Sequence, residues 1–302
     1  MAKTEEIEDL EELEQDLDDE DEIVIEEPKF KEEEATFHLK LDHSKIFRAI
    51  IETLASIIDE TEIRVNSNEL SITAMDPSRI CLLTLTIARS NFDEFEYSGE
   101  GVTKIGLNLD DLEKIMKRAS SNDSLELNYT SGDNKIKIIM KQDGLELTRS
   151  FSLAMLDIDI GEIPMDNLIA IDYPSSWVID TDFFIDAIKD AEIYSEVLNI
   201  KTEANIGLTF SSEGQIGEMI YELGLEDFID AEIETTETGA YSLTFLRAIM
   251  KIKSITEKLK VSLKEDHPLK LRFDLLEGGD LLYYLAPRVE QTDFDDEDME
   301  EF

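Results

Sequence analysis

Nine basic side chains stand at helix-like spacings in this chain, and the chemistry open to them is contact with phosphate. Lys114, Lys117 and Arg118 fall at i, i+3 and i+4, which places all three on one helical face. Arg247 and Lys251 are at i, i+4 with Lys253 close by, and Lys45 and Arg48 are at i, i+3. Lys189 is the weakest member, because Asp182, Asp186 and Asp190 share its segment. Glutamine and asparagine are absent from these faces, so bidentate reading of base edges is not expected. The expected mode is weak, salt-sensitive and indifferent to sequence. A single basic face is often just a solvated surface. Its recurrence in corresponding segments of an otherwise acidic chain favours one shared basic surface.

Other chemistry finds little support. Asp157-x-Asp159 could hold a divalent cation for phosphoryl transfer, but in a chain with 72 acids among 302 residues such a pair arises by chance. No Gly-rich phosphate loop, Gly-x-Ser-x-Gly elbow or His-Glu-x-x-His motif occurs. Cys81 is the single cysteine, which excludes an intrachain disulfide, and it sits in an apolar strand where packing explains it. His38, His43 and His267 are scattered, against a zinc cluster. No catalytic residue, metal or cofactor is expected.

The 28 Lys and Arg against 72 acids give a formal net charge of −44, and hydrophobic residues make up 42%. That is enough apolar material for a large core in about two domains. The balance argues against a nucleic-acid partner only if charge is spread evenly, and it is not. Residues 1–35 read as an acidic, disordered N-terminal extension, in which Ile23-Val24-Ile25 could be a docking peptide. Residues 290–302 read as an acidic C-terminal tail. No apolar run reaches the ~18–20 residues of a membrane span. The acidic start is unlike a signal peptide, so an intracellular protein without a membrane partner is expected.

Between the tails, helices are expected at about 45–59, 109–119, 181–193 and 243–253, the first capped by Ser44. Alternating strand-like segments include 145–153 and 215–223. A non-periodic stretch, 154–164, ends in Pro164 and separates an N-terminal domain, 36–153, from a C-terminal domain, 165–289. The order of elements then repeats. Leu112, Ile115, Met116, Lys117, Ser120 and Leu125 match Leu246, Ile249, Met250, Lys251, Ser254 and Leu259 at an offset of 134. The fold class is α+β, two similar domains with two helices each packed on antiparallel sheet.

Met75-Asp76-Pro77-Ser78, the linker ending Ile163-Pro164, and Leu282-Tyr283-Tyr284-Leu285-Ala286-Pro287-Arg288-Val289-Glu290 resemble the proliferating cell nuclear antigen family, the sliding clamps of archaea and eukaryotes. The resemblance runs from Phe37 to Glu290 and leaves the N-terminal extension without a counterpart. It implies a ring of three subunits, identical or not, that surrounds double-stranded DNA with helices lining the hole. The nine basic residues above would face the duplex. It implies a groove for partner peptides of the pattern Gln-x-x-aliphatic-x-x-aromatic-aromatic, formed by Met75, Ile80, Ile160, Ile163, Pro268, Tyr284, Leu285, Ala286 and Pro287. Through such peptides DNA polymerase, clamp loader, flap endonuclease and DNA ligase would bind. Subunits would join through strands 145–153 and 215–223. The compartment would be cytoplasm or nucleoid in an archaeon and nucleus in a eukaryote. The alternative is a damage-signalling clamp subunit or an acidic scaffold that never surrounds DNA.

Overall fold

The computed structural model describes residues 36–120, 122–142, 144–158, 163, 165–276 and 279–288. They fall within one compact unit, Glu34–Phe302. Both acidic tails, 1–35 and 290–302, lie outside the described residues.

The first half contains β1 (Thr36–Leu41), α1 (Lys45–Leu54), β2 (Glu60–Val65), β3 (Glu69–Met75), β4 (Cys81–Ala88), β5 (Glu94–Ser98), β6 (Thr103–Asn108), α2 (Leu109–Met116), β7 (Asp123–Thr130), β8 (Lys135–Gln142) and β9 (Thr148–Ala154). A short helix α3 (Met165–Ile169) follows the linker. The second half contains β10 (Ser175–Asp180), α4 (Thr181–Ala191), β11 (Val197–Glu203), β12 (Gly207–Gly214), β13 (Gly217–Gly224), β14 (Asp230–Ile233), β15 (Thr238–Ser242), α5 (Leu243–Ala248), a 3-10 turn at Ile249–Ser254, β16 (Lys258–Leu263), β17 (Leu269–Leu276) and β18 (Gly279–Leu285).

The strand orders make the duplication explicit. One half has a five-stranded run β5-β1-β7-β8-β9 and a four-stranded run β4-β3-β2-β6. The other has β14-β10-β16-β17-β18 and β13-β12-β11-β15. Adding nine to each strand number of the first half gives the second. The halves are joined where β18 pairs antiparallel with β4, Leu281 opposite Leu85 and Leu285 opposite Cys81, producing one nine-stranded sheet.

Alternating residues send one face of each strand inward. Leu281, Tyr283 and Leu285 on β18 and Leu83 and Leu85 on β4 are buried along the seam. The helices cover the sheets with apolar stripes, including Phe47, Ile50, Ile51 and Leu54 on α1 and Phe184, Ile185 and Ile188 on α4.

Several helix ends differ from the expectation. Ser44 makes no side-chain cap; its hydroxyl donates instead to the Ser120 carbonyl at 2.9 Å. True caps are Asn108, accepting from the Asp111 N–H at 3.0 Å, and Asp180, accepting from the Asp182 N–H at 2.8 Å. The α-helix expected over 243–253 ends at Ala248 and tightens to 3-10 geometry. Ile249, Ile252 and Ile255 are spaced by three, and three residues per turn bring Ile249 and Ile252 inward together. The strand expected from Leu145 starts at Thr148, because Gly144 at φ 73° turns the chain there and leaves Leu145 and Leu147 exposed.

Candidate nucleic-acid face and partner groove

The helices of the two halves form one layer: α1 packs against α2 and against the 3-10 turn, and α4 packs against α5 and the same turn. Solvent-facing positions of this layer carry the nine basic residues. Seven of them are engaged by acids of the layer. On α1, Arg48 bonds Glu52 at 2.8 Å and the Ala119 carbonyl at 2.9 Å. Lys114 pairs with Asp111 at 2.8 Å and Lys117 with Glu113 at 2.6 Å. In the second half, Lys189 pairs with Asp186 at 2.8 Å, Arg247 with Glu192 at 2.6 Å and Lys253 with Asp182 at 2.9 Å.

Lys251 reaches across the halves. Its ammonium lies 3.7 Å from the Glu113 carboxylate on α2 and donates to the Glu52 carbonyl on α1 at 3.3 Å. Lys117 and Lys251 therefore converge on one glutamate, which puts the cations of both halves on one surface. Among the described residues, Lys45 and Arg118 have no acidic partner within ion-pair distance. Lys45 and Lys253 border an open cleft of 970 Å³ between the start of α1 and the segment 253–258.

Hydrogen bonds to Asp111 and Asp182 raise Lys114 and Lys253 above the ordinary lysine range, and the bond from Lys189 lowers Asp186. Lys114 and Lys253 are thus fully charged at neutral pH yet already neutralised locally. At the seven paired cations a phosphate would have to displace a carboxylate to gain a contact, which would weaken that contact.

The second site is an apolar groove of 230 Å³ lined by Met75, Arg79, Ile80, Cys81, Leu82, Ile163, Asn167, Leu168, Pro268, Tyr284 and Ala286. Its floor is the seam between the halves, where Leu82 stands opposite Tyr284. One wall is the turn after β3. There the buried Asp76 carboxylate accepts N–H bonds from Ser78 at 2.9 Å and from Ile80 and Cys81 at 2.6 Å each. These bonds hold Arg79 in the left-handed region, φ 57°, and push Ile80 out to line the groove. The Ile80 carbonyl accepts from the Ala286 N–H at 2.8 Å, tying the turn to the chain after β18.

Ile163, with Asn167 and Leu168 on α3, also lines the groove, and the start of the linker is held at the far edge of the sheet. There, on β6, the Leu156 N–H donates to the Gly106 carbonyl at 2.9 Å, and a Cβ on Gly106 would lie 2.3 Å from the Leu156 oxygen. Glycine at 106 is required by that approach. Burial pushes the Cys81 thiol up to about 12, with the Tyr283 hydroxyl opposing, so Cys81 is a protonated packing residue rather than a nucleophile.

Of the nine groove residues expected from sequence, Met75, Ile80, Ile163, Pro268, Tyr284 and Ala286 come together. Leu285 does not: it points into the core and is fully buried, because it alternates with Tyr284 on β18. Pro287 lines a separate cavity beside β15 with Arg288 and Ala240. Ile160 lies outside the described residues, as does Asp159; Asp157 is exposed. Arg79, Cys81, Leu82, Asn167 and Leu168 line the groove in addition to the expected residues. Leu82 was recoverable from the alternation of its strand; Asn167 and Leu168 sit on α3, too short to show a period.

Two α+β halves of matching strand order, joined edge to edge with one helical layer, define a clamp-type fold. Comparison with known proteins agrees. Residues 36–163 match the proliferating cell nuclear antigen N-terminal domain and residues 169–288 its C-terminal domain. A DNA polymerase sliding clamp from Pyrococcus abyssi is 30% identical over 257 residues, covering 84% of this chain and 99% of that protein. In the PCNA2–PCNA3 complex from Sulfolobus tokodaii, a chain superposes with TM-score 0.74 at 27% identity, covering 83% of this chain and 99% of that one. The PCNA of Thermococcus kodakaraensis gives TM-score 0.73 at 26% identity, covering 83% and 100%. The chain belongs to the proliferating cell nuclear antigen family.

Proposed function

We propose that the chain is a DNA sliding clamp subunit: three copies, or three related chains, close a ring around duplex DNA, and the groove tethers replication and repair enzymes to it. The ring needs no catalytic residue, since enclosure rather than affinity keeps the DNA. It works inside the cell, where chromosomal DNA is. DNA polymerase, clamp loader, flap endonuclease and DNA ligase are the expected partners, each inserting apolar anchors of a short peptide into the 230 Å³ groove.

The observation that carries the ring is the strand numbering. Within the chain, the edge of a five-stranded run (β18) pairs with the edge of a four-stranded run (β4). Their counterparts, β9 and β13, each end a sheet, with an edge unpaired among the described residues. The same pairing repeated between copies joins β9 of one to β13 of the next, head to tail.

The register follows from the ladders. Leu125–Met140–Arg149 corresponds to Leu259–Phe273–Leu281, and Ile63–Ile72–Leu85 to Ile200–Phe210–Tyr221. Leu281 opposite Leu85 therefore translates into Arg149 opposite Tyr221, with Ser150 opposite Ile220 and Phe151 opposite Met219. Exposed Lys135, Lys137 and Lys141 flank one edge and exposed Glu213, Glu218 and Glu222 the other, so the ends are complementary in charge.

The test is a double variant, Ser150→Cys with Ile220→Cys, in the full chain. Directly opposed residues of an antiparallel pair have Cα atoms about 4.5–5.5 Å apart, within disulfide reach. Oxidation gives a covalent species of three chains that stays on nicked circular DNA in high salt and leaves once the circle is cut. A chain that stays monomeric overturns the ring of three identical copies, and a species that dissociates from the closed circle overturns the clamp reading itself.

A further inference from the structure

Lys270 on β17 faces outward from the nine-stranded sheet, half-buried between two tyrosine rings. Its ammonium is 5.9 Å from the Tyr173 ring centroid and 5.8 Å from that of Tyr284. Both rings belong to the frame of the groove. Tyr284 lines it, and the Tyr173 hydroxyl donates to the carbonyl of Pro268, another lining residue, at 2.9 Å.

Among the described residues no carboxylate pairs with Lys270. The nearby acids Asp274 and Asp280 are engaged by Arg272 at 3.3 and 3.5 Å. Burial, with Arg272 and Lys260 adding repulsion, holds the ammonium below the usual lysine range, against the pull of Asp280. This is a cation stripped of part of its water and held only by two π faces. An anion placed beside it gains more than it would at an open lysine. Lys260, Lys270 and Arg272 also make a local positive patch on a chain of net charge −44, so an acidic ligand is drawn to this spot.

We infer that Lys270 reads a carboxylate on the peptide that fills the groove: partners carry Asp or Glu beside their apolar anchors, positioned to reach the edge of the Tyr284 ring. This rests on the partner-groove reading above and adds to it a sequence preference.

The experiment is a peptide scan followed by fluorescence anisotropy on the full chain. Peptides share a Gln-x-x-aliphatic-x-x-aromatic-aromatic core, and each flanking position carries Gln or Glu in turn. At one or two positions Glu binds about three- to tenfold tighter than Gln, the range of a partly exposed ion pair. Lys270→Met, which keeps the apolar stem over the tyrosines, abolishes that difference and leaves the Gln series unchanged. Equal affinity of Glu and Gln throughout, or a preference that survives Lys270→Met, overturns the inference while leaving the groove intact. Failure of the groove reading looks different: the core peptide then binds no better than one with its anchors replaced by alanine, and both proposals fall.

Discussion

The same letters do different work in α2 of the first half and in the α5–3-10 segment of the second. Leu112 and Leu246 are both buried, as their match implies. One turn later the phases part. In the first half Met116 is fully buried and Ile115 only partly, while in the second Ile249 is buried and Met250 only partly. The helix tightens after Ala248, and the tighter turn rotates the following residues so that the β-branched side chain takes the core position. Below this segment the halves share a backbone bond and differ in side chain. Ser44 N–H donates to the Asp123 carbonyl at 2.8 Å, and Thr181 N–H to the Glu257 carbonyl at 2.9 Å. Asp123 is fully buried, receiving the Arg149 guanidinium and the Ser120 N–H; Glu257 is exposed. Duplicated units keep topology and backbone bonds while trading how each is pinned.

The largest expected contrast is at that pin. Asp123→Ala strands the Arg149 guanidinium and should lower unfolding stability by about 3–5 kcal/mol, whereas Glu257→Ala should stay within about 0.5 kcal/mol. Urea denaturation of the two variants checks it; comparable losses would mean that the halves are pinned alike. Next comes the phase swap. Met116→Ala and Ile249→Ala should each cost about 2–4 kcal/mol, and Ile115→Ala and Met250→Ala about 1 kcal/mol or less. If Met250→Ala proves the costlier change in the second half, the tightened turn is wrong and a continuous α-helix takes its place.

Most of this architecture could be read in the chain, because its signals are long-period or repeated. The amphipathic stripe of α1 and the offset of 134 residues both span many positions, so chance cannot mimic them easily. Strands β5, β6, β10, β14 and β15 are harder to read from the letters. Glu94–Ser98 and Asp230–Ile233 alternate polar with apolar residues but are edge strands of only five and four residues, too short for the period to stand out, and Ser175–Asp180 carries polar ends. Groove residues from Met75 to Ala286 are brought together by β4–β18 pairing, a contact between strands about 200 residues apart that no local pattern encodes. The resemblance named them as a set, and it included Leu285, which the structure buries in the core, because a motif names neighbours without saying which side of a strand each occupies. Nor do the letters show that Lys251 leaves its own helix for Glu113.

Lys117 and Lys251 occupy matched positions yet hold Glu113 differently, one from within its own helix at 2.6 Å and one across the halves at 3.7 Å. Replacing either with alanine should move stability by no more than about 0.5 kcal/mol, since both pairs are partly exposed. Each replacement should also reduce the slope of log affinity for DNA against log salt by about 1, one phosphate contact per lysine. A drop for one and not the other would assign the shared surface to a single half.

Glu113→Gln is the subtler change, and its sign is informative. The side chain keeps its shape while both lysines lose their anionic partner, so an incoming phosphate no longer has to displace it. Non-specific DNA association at low salt should tighten about twofold to fivefold, with stability nearly unchanged. Sliding along the duplex, followed by single-molecule tracking, should slow in proportion, because a contact that is harder to break delays each step. If binding were instead unchanged, the carboxylates threaded among these cations would play no part in keeping DNA contact weak, and the two lysines would be surface charges that happen to share a neighbour.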